Sequence, residues 1–163
     1  MYEPREFTTS ELLTWNRFLS QTLLGLALAW ARERDGSADG FVHFARGRLG
    51  QVWEGMGAGG VEAATLALQL NAEAFAGKSH SHAVNPESGE VIVDDLPSGS
   101  LCEELEYHFD IDVTPEVLRE VAGVSQAEMN RLYDLLAAVV DGAGYGYQRE
   151  DRGEGKQRLI VRA

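Results

Sequence analysis

From Leu12 to Trp30, large apolar side chains return at steps of 3, 4, 4, 3 and 4, through Trp15, Leu19, Leu23 and Leu26. That period belongs to a helix. Thr9 or Ser10 is placed to cap one that runs to about Glu33. Leu13, Leu24 and Leu28 widen the stripe beyond one face. The helix is therefore expected in the core, covered on more than one side. Its longest unbroken apolar run, Leu23 to Ala31, is nine residues. About 20 are needed to cross a bilayer, so no membrane span is expected.

Two more helices follow on the same reasoning. Val42, Ala45, Leu49, Val52 and Met56 carry one, with Gly47 and Gly50 either weakening it or permitting close helix contact. Val61, Ala64, Leu68, Ala72 and Phe75 carry the next, with Gly77 placed as its C-terminal cap. The period then changes. Val91-Ile92-Val93 reads as a strand after the Pro86 to Gly89 turn, and Leu105, Tyr107, Phe109, Ile111 and Val113 alternate with polar residues. Pro97-Ser98-Gly99-Ser100 between them predicts a hairpin. Thr114-Pro115-Glu116 opens a short helix that stops at Gly123, and Ser125 with Glu128 forms a capping box for another that closes at Gly142. Tyr145 to Gln148 and Gln157 to Arg162 read as a second hairpin.

The expected fold is α+β. Three N-terminal helices pack on a four-stranded antiparallel sheet made of two hairpins, with a helical pair between them. The 163 residues form a single domain, with a helical half at about 9–77 and a hairpin-helices-hairpin half at about 88–162. Fourteen Lys and Arg stand against twenty-six Asp and Glu, a net charge of −12. Residues 85–120 hold eleven acids and one base, Arg119. This balance argues against binding to nucleic acid or anionic lipid through bulk electrostatics. One cysteine excludes an internal disulfide and a multi-thiolate zinc site. With no secretory signal in the sequence, a cytoplasmic setting is expected.

Four constellations point to chemistry. Gly55-Met56-Gly57-Ala58-Gly59-Gly60 has the spacing of a dinucleotide fingerprint, but its context fails: a helix precedes it and no acid follows about twenty residues on. Residues 115–134, with the turn at Gly123 and the capped helix after Ser125, resemble the helix-turn-helix of bacterial repressors. By that resemblance Gln126 and Asn130 would read bases, as a transcriptional regulator requires. Against it, Arg119 occupies a position that needs a small residue, and the unit is acidic. His80 and His82, with Cys102 and His108, offer imidazole and thiolate to zinc or another divalent metal, with Asp94, Asp95 and Glu104 beside them. That set would suit a metal-assisted hydrolase. Finally, aromatic residues concentrate on the first three helices. Trp15, Trp30, Phe44 and Trp53, with Arg46 as a polar anchor, are the expected lining of an apolar ligand site.

In element order, a helical half followed by hairpin, helices and hairpin is similar to the 4-vinyl-reductase domain family. It is similar also to trafficking-complex subunits and aminothiazoline-carboxylate-hydrolase-like proteins. The resemblance implies a sheet packed on helices, enclosing a cavity for a small hydrophobic or aromatic ligand, and homodimers. It transfers no catalytic residue. Small-molecule binding or sensing is thus the first functional expectation, ahead of the hydrolase and the regulator.

Overall fold

A computed structural model describes residues 5–54, 59–77, 79–85 and 87–163, with residues 80–85 by backbone course alone. Three helices come first: α1 (Thr9–Asp35), α2 (Asp39–Val52) and α3 (Gly60–Ala76). A hairpin of β1 (Ser79–Asn85) and β2 (Ser88–Asp94) follows, then α4 (Gly99–Phe109) and α5 (Pro115–Ala122). A broken helical run over 126–142 comprises α6 (Gln126–Asn130), α7 (Leu132–Leu136) and α8 (Ala138–Gly142). The chain ends in β3 (Gly146–Gly153) and β4 (Lys156–Arg162). The sheet is antiparallel in the order β1-β2-β4-β3.

This is α+β, but the expected arrangement of three helices on two hairpins with a helical pair between is overturned. Residues 105–113 are not a strand. Ser98 accepts a hydrogen bond from the Leu101 amide and starts α4. That helix buries Leu101, Cys102 and Leu105, a helical spacing. Leu105 is fully enclosed while Tyr107 is 85% exposed, which alternation on one sheet face forbids. Asp110 then takes a left-handed conformation (φ 56°), and the Ile111 amide donates to the Leu105 carbonyl, closing the helix. Local capping and the 101/102/105 spacing outweighed the alternation that follows them. β2 therefore pairs with β1, the His80-x-His82 segment, with Val91 opposite Ser81.

The second correction concerns α1. Leu12, Trp15, Leu19, Leu23, Leu26 and Trp30, expected in the core, all lie at the surface. The buried face is Glu11, Thr14, Gln21, Gly25, Leu28, Ala29 and Ala31. Small and hydrogen-bonding residues let the other helices come close. A Cβ on Gly25 would stand 3.1 Å from Ala122 Cβ and 3.2 Å from Met129 Sδ. Gln21 Nε2 donates to the Phe75 carbonyl at 2.9 Å, and Thr14 Oγ1 to Glu104 at 2.8 Å. Close approach won over side-chain size.

The core lies between α3, the broken run and the sheet, with Leu68, Val91, Leu132, Tyr133, Val140 and Leu159 buried at its centre. The capping motifs read from the sequence at α5 and α6 are in place. Thr114 caps α5 with Pro115 at its first turn, Gly123 is left-handed (φ 70°), and Ser125 forms its box with Glu128. Among the described residues no helix is long and apolar enough to cross a membrane.

Candidate functional site

The start of α1 is held by a capping box one residue earlier than the sequence reading placed it. The Thr8 hydroxyl accepts from the Glu11 amide at 3.2 Å, and Glu11 accepts from the Thr8 amide at 2.7 Å. Arg5 completes the group by pairing with Glu11. The Thr8 amide, then the Thr8 hydroxyl and Arg5, hold the Glu11 carboxyl below the usual carboxylate range. Glu11 is thereby an ionised, fully partnered wall, and it orients the turn that carries Leu12 and Trp15.

The end of α4 approaches this turn. Phe109 stands with its ring centroid 5.2 Å from that of Trp15 at an interplanar angle of 57°, and Phe18 also lies 5.2 Å from Trp15, at 49°. Both are tilted arrangements within the favourable range for aromatic pairs. Arg5 stacks over Phe7 at 5.2 Å. Phe7, Glu11, Leu12, Trp15 and Phe109 enclose a cavity of about 310 Å³, open on one side and overwhelmingly apolar. Next to Glu11 and Phe109 in the chain, Ser10 Oγ and His108 Nε2 are hydrogen-bonded at 3.1 Å. The volume sits at the lower end of small-ligand sites, enough for one or two fused rings. An apolar slot whose carboxylate is already partnered selects for shape and hydrophobicity.

Of the residues expected to line a ligand site, only Trp15 is here. Trp30 is exposed, with Arg34 4.5 Å above its ring. Phe44 is exposed under Arg48 at 5.8 Å. Arg46 pairs with Asp141 through both oxygens and stacks on Tyr147 at 4.9 Å. Trp53 packs half-buried against the core. Phe7, Glu11 and Phe109 were missed. Thr8-x-x-Glu11 was a readable capping signal. Phe109, assigned to a strand, could not be placed beside Trp15 until that segment was known to be helical.

The expected metal ligands are dispersed. The side chains of His80 and His82 lie outside the described residues, as do residues 55–58 of the glycine cluster. In the backbone register His80 is opposite Ile92 and His82 opposite Glu90. Cys102 is buried in α4, and burial pushes its thiol up. His108 is six residues on along the same helix, facing Ser10. Among the described residues no group of three or more His, Cys, Asp or Glu is placed to hold a metal ion. Asp95 accepts from Asn130 at 2.9 Å and from Gln157 at 2.8 Å. Glu104 accepts from Thr14 and Arg17. The two residues expected to read bases are turned inward: Gln126 donates to the Leu96 carbonyl at 2.7 Å, and Asn130 is buried.

Comparison with protein-family models, curated proteins and solved structures finds no match to this chain.

Proposed function

We propose that this chain is a small-molecule-binding or sensory domain, and that the slot between the start of α1 and the end of α4 takes a flat, uncharged aromatic ligand. The observation that carries the reading is the convergence of Phe7, Trp15 and Phe109 around about 310 Å³ of apolar space. Three rings from two chain segments about a hundred residues apart line a solvent-open hydrophobic gap, and covering its apolar surface with an apolar ligand is favourable. The free, buried Cys102 suits a reducing, cytoplasmic setting. The domain works as a homodimer in this reading.

A thermal-shift titration with N-phenyl-1-naphthylamine, indole and naphthalene derivatives tests it. A ligand present at 100 times its dissociation constant adds about 2.7 kcal/mol to folding stability, an easily measured rise in melting temperature. Trp15→Ala and Phe109→Ala should each abolish that rise while leaving far-ultraviolet circular dichroism intact. No shift with any of the probes, or the same shift in both variants, would remove the slot as a ligand site.

A further inference from the structure

We infer that the outward face of α1 is the surface on which two copies of this chain pair, antiparallel and about a two-fold axis level with residue 21. The inference rests on the self-association proposed above and names the face that performs it. At 100° per residue, Leu12, Trp15, Leu19, Leu23, Leu26 and Trp30 fall within about 80° of one another. They make a straight strip about 27 Å long, and every one of the six is exposed. Their exposed fractions amount to about three whole side chains, on the order of 600 Å² per copy at roughly 200 Å² each. Two such faces together reach the lower end of specific interfaces, about 1,200 Å².

Charge and pattern both favour a second copy as the occupant. Between Thr9 and Ala31, α1 has two charged residues, Glu11 and Arg17. The first is buried at the cap and the second is turned inward onto Glu104. The strip is instead flanked by Thr9, Asn16, Ser20, Thr22 and Ala27. In a chain of net charge −12, a face with no net charge, its one arginine (Arg34 over Trp30) being paired with Asp35, is where a second acidic copy can approach with least repulsion. An anionic membrane, by contrast, meets one basic group at the strip's end, Arg34, and that one is already paired.

The strip also reads nearly the same from either end. Reversed about residue 21, Leu12 comes opposite the partner's Trp30, Leu19 opposite Leu23, and Trp15 opposite Ala27, within one residue of Leu26. Each indole meets a smaller side chain, so large and small alternate across the seam, whereas a parallel pair sets indole on indole. The antiparallel register has a consequence for the slot, because Leu12 is part of its wall. The partner's Trp30 is carried to that wall and narrows the open side.

Sedimentation velocity over 1–100 µM protein tests the face. The native chain should sediment as a dimer. Leu23→Glu, at an already exposed position, should weaken pairing by about 30-fold or more, with circular dichroism unchanged. The double variant Leu19→Lys/Leu23→Glu should restore the dimer, because the antiparallel register sets opposite charges face to face. A native monomer throughout the range overturns self-association as well as the face. A native dimer that Leu23→Glu leaves intact overturns the α1 face alone. A double variant that stays monomeric overturns the antiparallel register. Co-sedimentation of a monomeric native chain with neutral phosphatidylcholine vesicles gives the strip to a lipid surface and overturns the second copy. At protein concentrations that keep the dimer formed, Trp30→Ala should weaken N-phenyl-1-naphthylamine binding, although Trp30 lies about 27 Å from Leu12 along its own helix. Unchanged binding overturns the completed slot and spares the dimer.

Discussion

Gly142 closes α8 where α2 comes nearest. A Cβ there would stand 2.6 Å from the Gly50 carbonyl oxygen and 2.6 Å from Trp53 Cβ. Backbone cannot yield as a side-chain tip can. Gly142→Ala should therefore destabilise the fold by about 1–3 kcal/mol, read as a lower urea midpoint. Gly50 was open to a close-contact reading in the sequence, but its partner was not, since Gly142 looked like a simple helix stop. Glu128 shows the opposite case, a residue whose role was plain from the Ser125-x-x-Glu128 spacing. Burial pushes its carboxyl up, yet the Ser125 amide, Arg32 and the Ser125 hydroxyl outweigh that and lower it from the ordinary 4.5. A lowered folded value means stability that is present above the unfolded value and lost as pH falls through the folded one. Glu128→Gln should thus be less stable than the native chain at neutral pH, and the gap should close below about pH 4, followed by urea denaturation across pH. What spacing did not reveal is that Arg32 reaches the same carboxylate, donating 2.7 Å hydrogen bonds to both oxygens and a further one to the Gly123 carbonyl.

α4 shows how two periodicities compete within one segment. Leu105, Tyr107 and Phe109 satisfy a strand, while Leu101, Cys102 and Leu105 satisfy a helix, and only the start signal at Ser98 decides between them. The two readings predict different mutants. Were 105–113 a strand, Leu105 and Tyr107 would share a buried face, and truncating either would cost alike. In the helix, Leu105→Ala should cost about 2–5 kcal/mol, and Tyr107→Ala should stay within about 0.5 kcal/mol of native. Equilibrium urea denaturation of the pair checks this directly. α1 carries a related lesson. Its period announced a helix correctly, but period does not say which face meets the core. Its inward face is chosen by Gly25, which admits Ala122 and Met129, and by Thr14 and Gln21, which find acceptors on α4 and at the end of α3. Those partners lie far along the chain, so nothing local to α1 could reveal them. The aromatic slot was hidden for the same reason: Trp15 was nameable, but its neighbour Phe109 sat in the misread segment.

Charge acts on the molecule as a unit. The acidic stretch of residues 85–120 is partly answered by arginines, with Arg158 on Glu90 and Arg17 on Glu104 from other segments and its own Arg119 on Glu116. The excess remains, so raising sodium chloride from about 0.02 to 0.3 M should raise the melting temperature by screening self-repulsion. A fall would mean that these pairs outweigh the repulsion. The uneven charge was plain from composition; that Arg158 answers Glu90 depended on sheet order, and that Arg17 answers Glu104 depended on α1 lying beside α4. β4 lies between β2 and β3, paired along its length with both, and Asp94 faces Lys156. During synthesis β2 therefore waits about sixty residues for its second neighbour, some 3–12 seconds at usual ribosomal speeds. Throughout that interval the nascent hairpin offers an unpatched edge to any other extended polypeptide nearby. A stop codon falling after Gly155 would make that wait permanent, and the shortened product would be a substrate for chaperones and proteases.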